Sequence, residues 1–161
     1  MTSTLVLVHP GSLCGSARSQ LGRLEADGAR EEILWSVQGH DGALIVIDGA
    51  LSDELSAAEN EIIEAALARV EADGHLALRL WGCDSGETPY MSWKPTGLKG
   101  RHAVFDDQEA VVSAVAHMIP EGPVRVTGAW ATPDHHSGCA SGVLVCLRMA
   151  FSDAGRDPKQ V

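Results

Sequence analysis

The sequence predicts a three-layer α/β fold with a mostly parallel sheet, Rossmann-like or flavodoxin-like in plan. Three observations carry this: unbroken apolar runs at 5–8 and 44–47, helical apolar stripes between and after them, and glycine or proline at most junctions. Alternating strands and helices build such a sheet because each parallel pair needs a right-handed crossover, and the crossovers cover both faces.

Leu5-Val6-Leu7-Val8, stopped by Pro10-Gly11, reads as a strand buried on both faces. From Ser16 to Val37 the residues Leu21, Leu24, Ala29, Ile33 and Leu34 recur at mostly helical spacing, weakened by Gly22 and Gly28 and ended by Gly39-His40-Asp41-Gly42. Leu44-Ile45-Val46-Ile47 repeats the buried-strand pattern up to Asp48-Gly49. Ser52 then caps a helix through Asp53 and Glu54 to Asp73, with Leu55, Ile62, Ile63, Ala66, Leu67 and Val70 on one stripe and Gly74 at its end. Residues 75–81 alternate, Leu76, Leu78 and Leu80 on one face and His75, Ala77 and Arg79 on the other, which predicts a third strand with one wetter face. Asp106-Asp107 opens a helix carrying Val111, Val112, Val115 and Met118, closed by Pro120 and Gly122. Residues 124–130 form a fourth, alternating strand. The run 143–151 is apolar at almost every position, so periodicity does not separate a fifth strand, after residue 142, from a buried helix; the strand is the favoured reading.

Continuous runs in the first two strands and alternation in the next two favour the strand order 3-2-1-4 over 2-1-3-4, since the fully apolar strands then sit centrally. The domain spans 1–152, and 153–161 is a polar tail expected to fray or dock loosely.

With 161 residues, 45% apolar and 21% charged, the chain suits one ordinary core. Twelve Lys and Arg against 22 Asp and Glu give a net charge of −10, which disfavours nucleic acid and anionic membranes as partners. No apolar run approaches the roughly 18 residues of a membrane span, and Met1-Thr2-Ser3-Thr4 lacks the basic start of a secretory signal. A soluble, cytoplasmic protein is expected. Cysteines 14, 83, 139 and 146 form no Cys-x-x-Cys pair, so reduced thiols are expected rather than a zinc ribbon or a disulfide framework.

Ligands of an open parallel sheet bind beyond the carboxyl ends of its strands. His9, Ser12 and Cys14 follow the first strand, Asp48 the second, Cys83 and Asp84 the third, and Asp134, His135, His136 and Cys139 the fourth, so the reactive side chains gather on that rim. The loop from His9 to Ser16 combines Gly11 and Gly15 with the hydroxyls of Ser12 and Ser16 at a predicted helix start, which suits a phosphate or carboxylate, or serves only as a capped turn. It matches neither G-x-G-x-x-G nor the Walker pattern. Between Thr88 and Phe105 there is no acid, while Lys94, Lys99, Arg101 and His102 stand beside Tyr90 and Trp93, a basic island in an acidic chain. This stretch reads as a flap closing over an anionic ligand, with a disordered or subunit-contact loop as the alternative.

Pro133-Asp134-His135-His136-Ser137-Gly138-Cys139 is the densest reactive segment. A thiolate near an imidazolium or a helix start is activated at neutral pH, so Cys139 or Cys14, His135 or His136, and Asp48 or Asp134 form a candidate nucleophile, base and orienter. The same Cys and His residues could instead hold a transition metal. Cys146, inside an apolar run, reads as a small core residue. Trp35, Trp81 and Trp130 read as packing, and Arg79 within a strand implies a buried ion pair or a subunit interface.

The order Asp48, Lys94, Cys139, with Val126-Thr127-Gly128 before the cysteine, resembles the Asp, Lys, Cys arrangement of isochorismatase-like cysteine hydrolases over a few positions. In that family the aspartate follows the first strand and the cysteine comes soon after the Thr-Gly strand. Here a strand and a helix precede Asp48, His-His-Ser-Gly intervenes before Cys139, and no membership is assigned.

The resulting expectation is a hydrolase or transferase for a small anionic molecule, its anion held by the His9 loop, Asp84, Trp93, Lys94 and Arg101. A noncatalytic ligand-binding or assembly subunit, or a metal-binding protein, is the alternative. The cofactor is unknown, and a homo-oligomer is open.

Overall fold

A computed structural model of the chain describes residues 2–13, 23–48, 55–81, 90–92, 103–104, 108–128 and 139–161. Strand β1 (Thr4–Val8) leads through a 3-10 turn (Pro10–Leu13) toward helix α1 (Arg23–Gly39). Next come β2 (Ala43–Ile47), α2 (Ala57–Ala72) and β3 (Ala77–Trp81). Two short strands, β4 (Tyr90–Ser92) and β5 (Ala103–Val104), precede α3 (Gln108–Met118), β6 (Val124–Gly128) and α4 (Cys139–Asp153).

The sheet order is β5-β4-β3-β2-β1-β6. Four of these strands, β3-β2-β1-β6, are parallel and reproduce the 3-2-1-4 order. Alternation splits the sheet into two cores. Val6, Val8, Ile45, Ile47, Leu78 and Leu80 meet Val112, Val115, Ala140, Val143, Leu147 and Phe151 of α3 and α4. On the other face Leu5, Leu7, Leu44, Val46 and Ala77 meet Ile33, Val37, Ile63, Leu67 and Val70 of α1 and α2. Both faces of β1 and β2 are therefore buried, which is why those strands carry no polar alternation.

Close strand approach demands glycine at two positions. A Cβ on Gly42 would lie 1.9 Å from the Ser3 oxygen, and one on Gly128, whose φ is +138°, would lie 2.0 Å from the Val8 oxygen.

Three expectations are corrected. Residues 143–151 are not a fifth strand but the body of α4. The buried members of that helix, Ala140, Val143, Leu147 and Phe151, recur at helical spacing, while Val145 and Met149 are exposed. Helix α2 starts after Ser56 rather than Ser52, because Ser56 and Glu59 form a reciprocal capping box that Ser52, followed by Leu55 at the third position, cannot make. Of the stretch read as a flap, residues 90–92 and 103–104 form β4 and β5, which pair antiparallel beyond β3 and satisfy its outer backbone edge, while Lys94, Lys99, Arg101 and His102 lie outside the described residues. The tail is tied down rather than loose. Arg156 donates to the carbonyls of Ala116, Ile119 and Pro120 at the α3 C-terminus (2.8–3.0 Å) and lies 3.9 Å over the Phe151 ring, supplying donors that a helix end lacks. Arg148 likewise holds the main-chain oxygen of Val161 at 2.9 and 3.0 Å.

Candidate functional site at the carboxyl rim

Strands β1, β2 and β3 end at one level, Val8 beside Ile47 and Ile47 beside Leu80. The ladder runs one step further: the His9 amide donates to Ile47 (2.7 Å) and the Asp48 amide to Leu80 (2.7 Å). His9 and Asp48 thus stand at adjacent strand ends, 1% and 0% exposed. His9 has φ of 45°, a left-handed conformation uncommon outside glycine, and it precedes Pro10, which favours extended backbone before it. Such strain of order 1–3 kcal/mol persists where surrounding structure over-determines it, often at functional sites.

Asp48 continues the parity of Leu44 and Val46, so it belongs to the face covered by α1 and α2, as does Arg79 of β3. The Arg79 Nε donates to Asp48 Oδ2 at 2.6 Å, and its Nη1 donates to Glu64 Oε1 on α2. The guanidinium fork spans two carboxylates, a geometry Lys cannot copy. Asp48 Oδ1 is buried and receives no hydrogen bond among the described residues. Burial pushes the Asp48 carboxyl above its usual range, against the pull of Arg79 and His9 and with help from the Glu64 charge. Burial works against the Arg79 charge too, but its two carboxylate partners outweigh that and hold the guanidinium protonated. Two carboxylates share one guanidinium, so the trio carries one uncompensated negative charge when all three groups are ionised.

Connections leave β1 for α1 on one face and β6 for α4 on the other, so the chain diverges between β1 and β6, where open α/β sheets form their binding crevice. His9 stands on the β1 side. Cys139, the first residue of α4, is half-buried against the α3 and α4 core. Asp48 and Cys139 therefore approach the rim from opposite faces of the sheet.

Of the residues singled out in the sequence, His9, Gly11, Ser12, Asp48 and Cys139 fall at this rim, Gly11 and Ser12 within the 3-10 turn after β1. Cys14, Gly15, Ser16, Asp84, Trp93, Lys94, Arg101, Asp134, His135 and His136 lie outside the described residues. Arg79 resolves as a buried ion pair. Glu64 was not anticipated, although an acid bordering the apolar stripe of Ile63 and Leu67 and facing a strand arginine is the kind of signal that finds it. Among the described residues no three His, Cys, Asp or Glu side chains are arranged to hold a metal ion, and no helix is long and apolar enough to cross a membrane.

No protein-family model, no characterised protein and no solved structure matches the chain.

Proposed function

We propose that the chain is a hydrolase or transferase acting on a small anionic substrate in the crevice between β1 and β6. The observation that carries this reading is the pair of buried titratable side chains, His9 and Asp48, at adjacent strand ends beside that crevice. A buried carboxyl with one oxygen that no donor among the described residues meets, next to an imidazole, offers a place for a proton to be taken up and returned, as general acid–base chemistry requires.

Across the crevice, Cys139 opens α4, and amides at a helix start favour a thiolate. In this reading the thiolate attacks an electrophilic carbon of the substrate and the leaving group departs with a proton from an imidazole. Water or a second acceptor then releases the product from the thiol ester. His135 or His136 is the proposed base, with Cys14 as the alternative nucleophile and Asp134 as the alternative orienter. The anion would be held by the amides of the β1 turn and by Lys94 and Arg101. Reduced thiols would require a reducing compartment such as the cytoplasm.

The test is alkylation of each cysteine by iodoacetamide across pH, read by mass spectrometry. Cys139 or Cys14 should react with an apparent pKa well below the ordinary thiol value of about 8.5. Four sluggish thiols would instead favour a noncatalytic ligand-binding subunit using the same rim. Stoichiometric zinc or iron in the purified protein would turn the proposed nucleophile into a metal ligand.

A further inference from the structure

The parallel sheet ends differently on its two sides. Its β5 edge is a strand of two residues, whereas the β6 edge is five residues long and pairs with no further strand among the described residues. An open edge of that length is a template for another strand. The Thr4 amide donates to Pro123, so the odd positions of β6 face β1, and the amides and carbonyls of Val124, Val126 and Gly128 face outward. These three positions are symmetric about Val126.

We infer that β6 pairs antiparallel with β6 of a second copy of this chain, on a twofold axis through Val126, to make one continuous sheet. Val126 would then exchange both backbone hydrogen bonds with its counterpart, and Val124 would sit opposite Gly128. Arg125 would sit opposite the neutral Thr127, so no like charges meet in the strand pair.

Charge complementarity above the strand selects the same partner. Exposed Arg125 reaches Ser36 of α1 at 3.5 Å, which places that flank of the helix over β6. Because α1 is the crossover between parallel strands, it runs back against β6. Glu32, one turn before Ser36 and exposed, therefore lies about 6 Å further along, roughly over Thr127. In the antiparallel pair Thr127 faces the other copy's Arg125, so each Glu32 meets an Arg125 across the twofold.

Sedimentation velocity of the full chain at tens of micromolar tests this. The wild type should sediment as a dimer, and R125E should weaken it by about tenfold or more, through repulsion from Glu32. The charge-swapped E32R/R125E protein should recover the dimer. Val126→Pro, which removes an outward amide that bonds nothing among the described residues, should abolish it with circular dichroism unchanged. A wild-type monomer at these concentrations overturns the proposal, including the case in which a different protein supplies the strand. A dimer indifferent to both R125E and Val126→Pro moves the interface elsewhere, and a charge swap that fails to restore the R125E loss rejects the register. Should Val126→Pro not fold, the charge-swap pair still decides.

Discussion

Two clusters in this molecule set an arginine against carboxylates, and their acids lean in opposite directions. In the helix cluster, Glu59 of α2 receives Arg30 of α1 on Oε1, while Oε2 accepts the Ser56 amide (2.8 Å) and hydroxyl (2.6 Å). Burial raises its carboxyl, but the Ser56 hydrogen bonds and Arg30 outweigh that and bring it below the usual range. In the rim cluster, Asp48 receives Arg79 on one oxygen and nothing on the other among the described residues, and burial prevails. The difference lies in the deeper burial of Asp48 together with how many lone pairs are answered, since both acids have a guanidinium. A fully answered carboxylate fastens two helices. A half-answered one, buried at the end of β2, keeps an oxygen that no donor among the described residues meets.

The strongest way to break this comparison is to remove the rim guanidinium. Arg79→Met should destabilise the protein by about 3–5 kcal/mol at neutral pH, because Asp48 is left as a buried charge without its partner. Chemical denaturation measures it. The loss should shrink as pH falls and Asp48 takes up a proton, and a double variant that also carries Asp48→Asn should recover much of it. A loss below about 1 kcal/mol would mean that water already reaches the carboxylate. The matching change in the helix cluster, Glu59→Ala, removes a capping box together with a part-exposed ion pair and should cost less, about 1–2 kcal/mol.

Opposite pKa directions give opposite pH dependence. Asp48 is raised in the folded state above its ordinary 3.8, so the folded protein binds the extra proton between those values. Its contribution is fully present below the unfolded pKa and is lost as pH rises through the folded one. Glu59 is lowered from its ordinary 4.5, so its contribution is present above that value and is lost as pH falls through the folded pKa. Stability measured from about pH 3 to pH 8 on Asp48→Asn and Glu59→Gln separates the two. Relative to wild type, Asp48→Asn should gain as pH rises from acid, and Glu59→Gln should lose. Parallel curves would erase the distinction between the clusters.

The same contrast explains what was legible in the sequence. Strands β1 and β2 declare themselves because burial on both faces excludes polar residues, and their central place follows from that. Asp48 is legible as the polar stop of such a run, and Arg79 as a charge where a strand should be apolar. Their pairing is not, because Glu64, Asp48 and Arg79 meet only after two crossovers stack α2 over β3. Nor is α4, since a run apolar at nearly every position hides its period and only the exposure of Val145 and Met149 reveals it. Strands β4 and β5, three and two residues long, are too short to carry any period.

The smallest expected effect sharpens the comparison from its other end. Arg30 also faces Asp27, one turn earlier on α1, at 3.8 Å, with both side chains about a third exposed. If answered lone pairs decide a carboxylate's role, this acid should matter little, because water can replace the guanidinium. Asp27→Asn is therefore expected to change stability by less than about 0.5 kcal/mol, and less still at high salt. A loss comparable to that of Glu59→Ala would show that Asp27, rather than the Ser56 capping box, sets the position of Arg30 against Glu59, and the helix cluster would then owe its lowered carboxyl to charge alone.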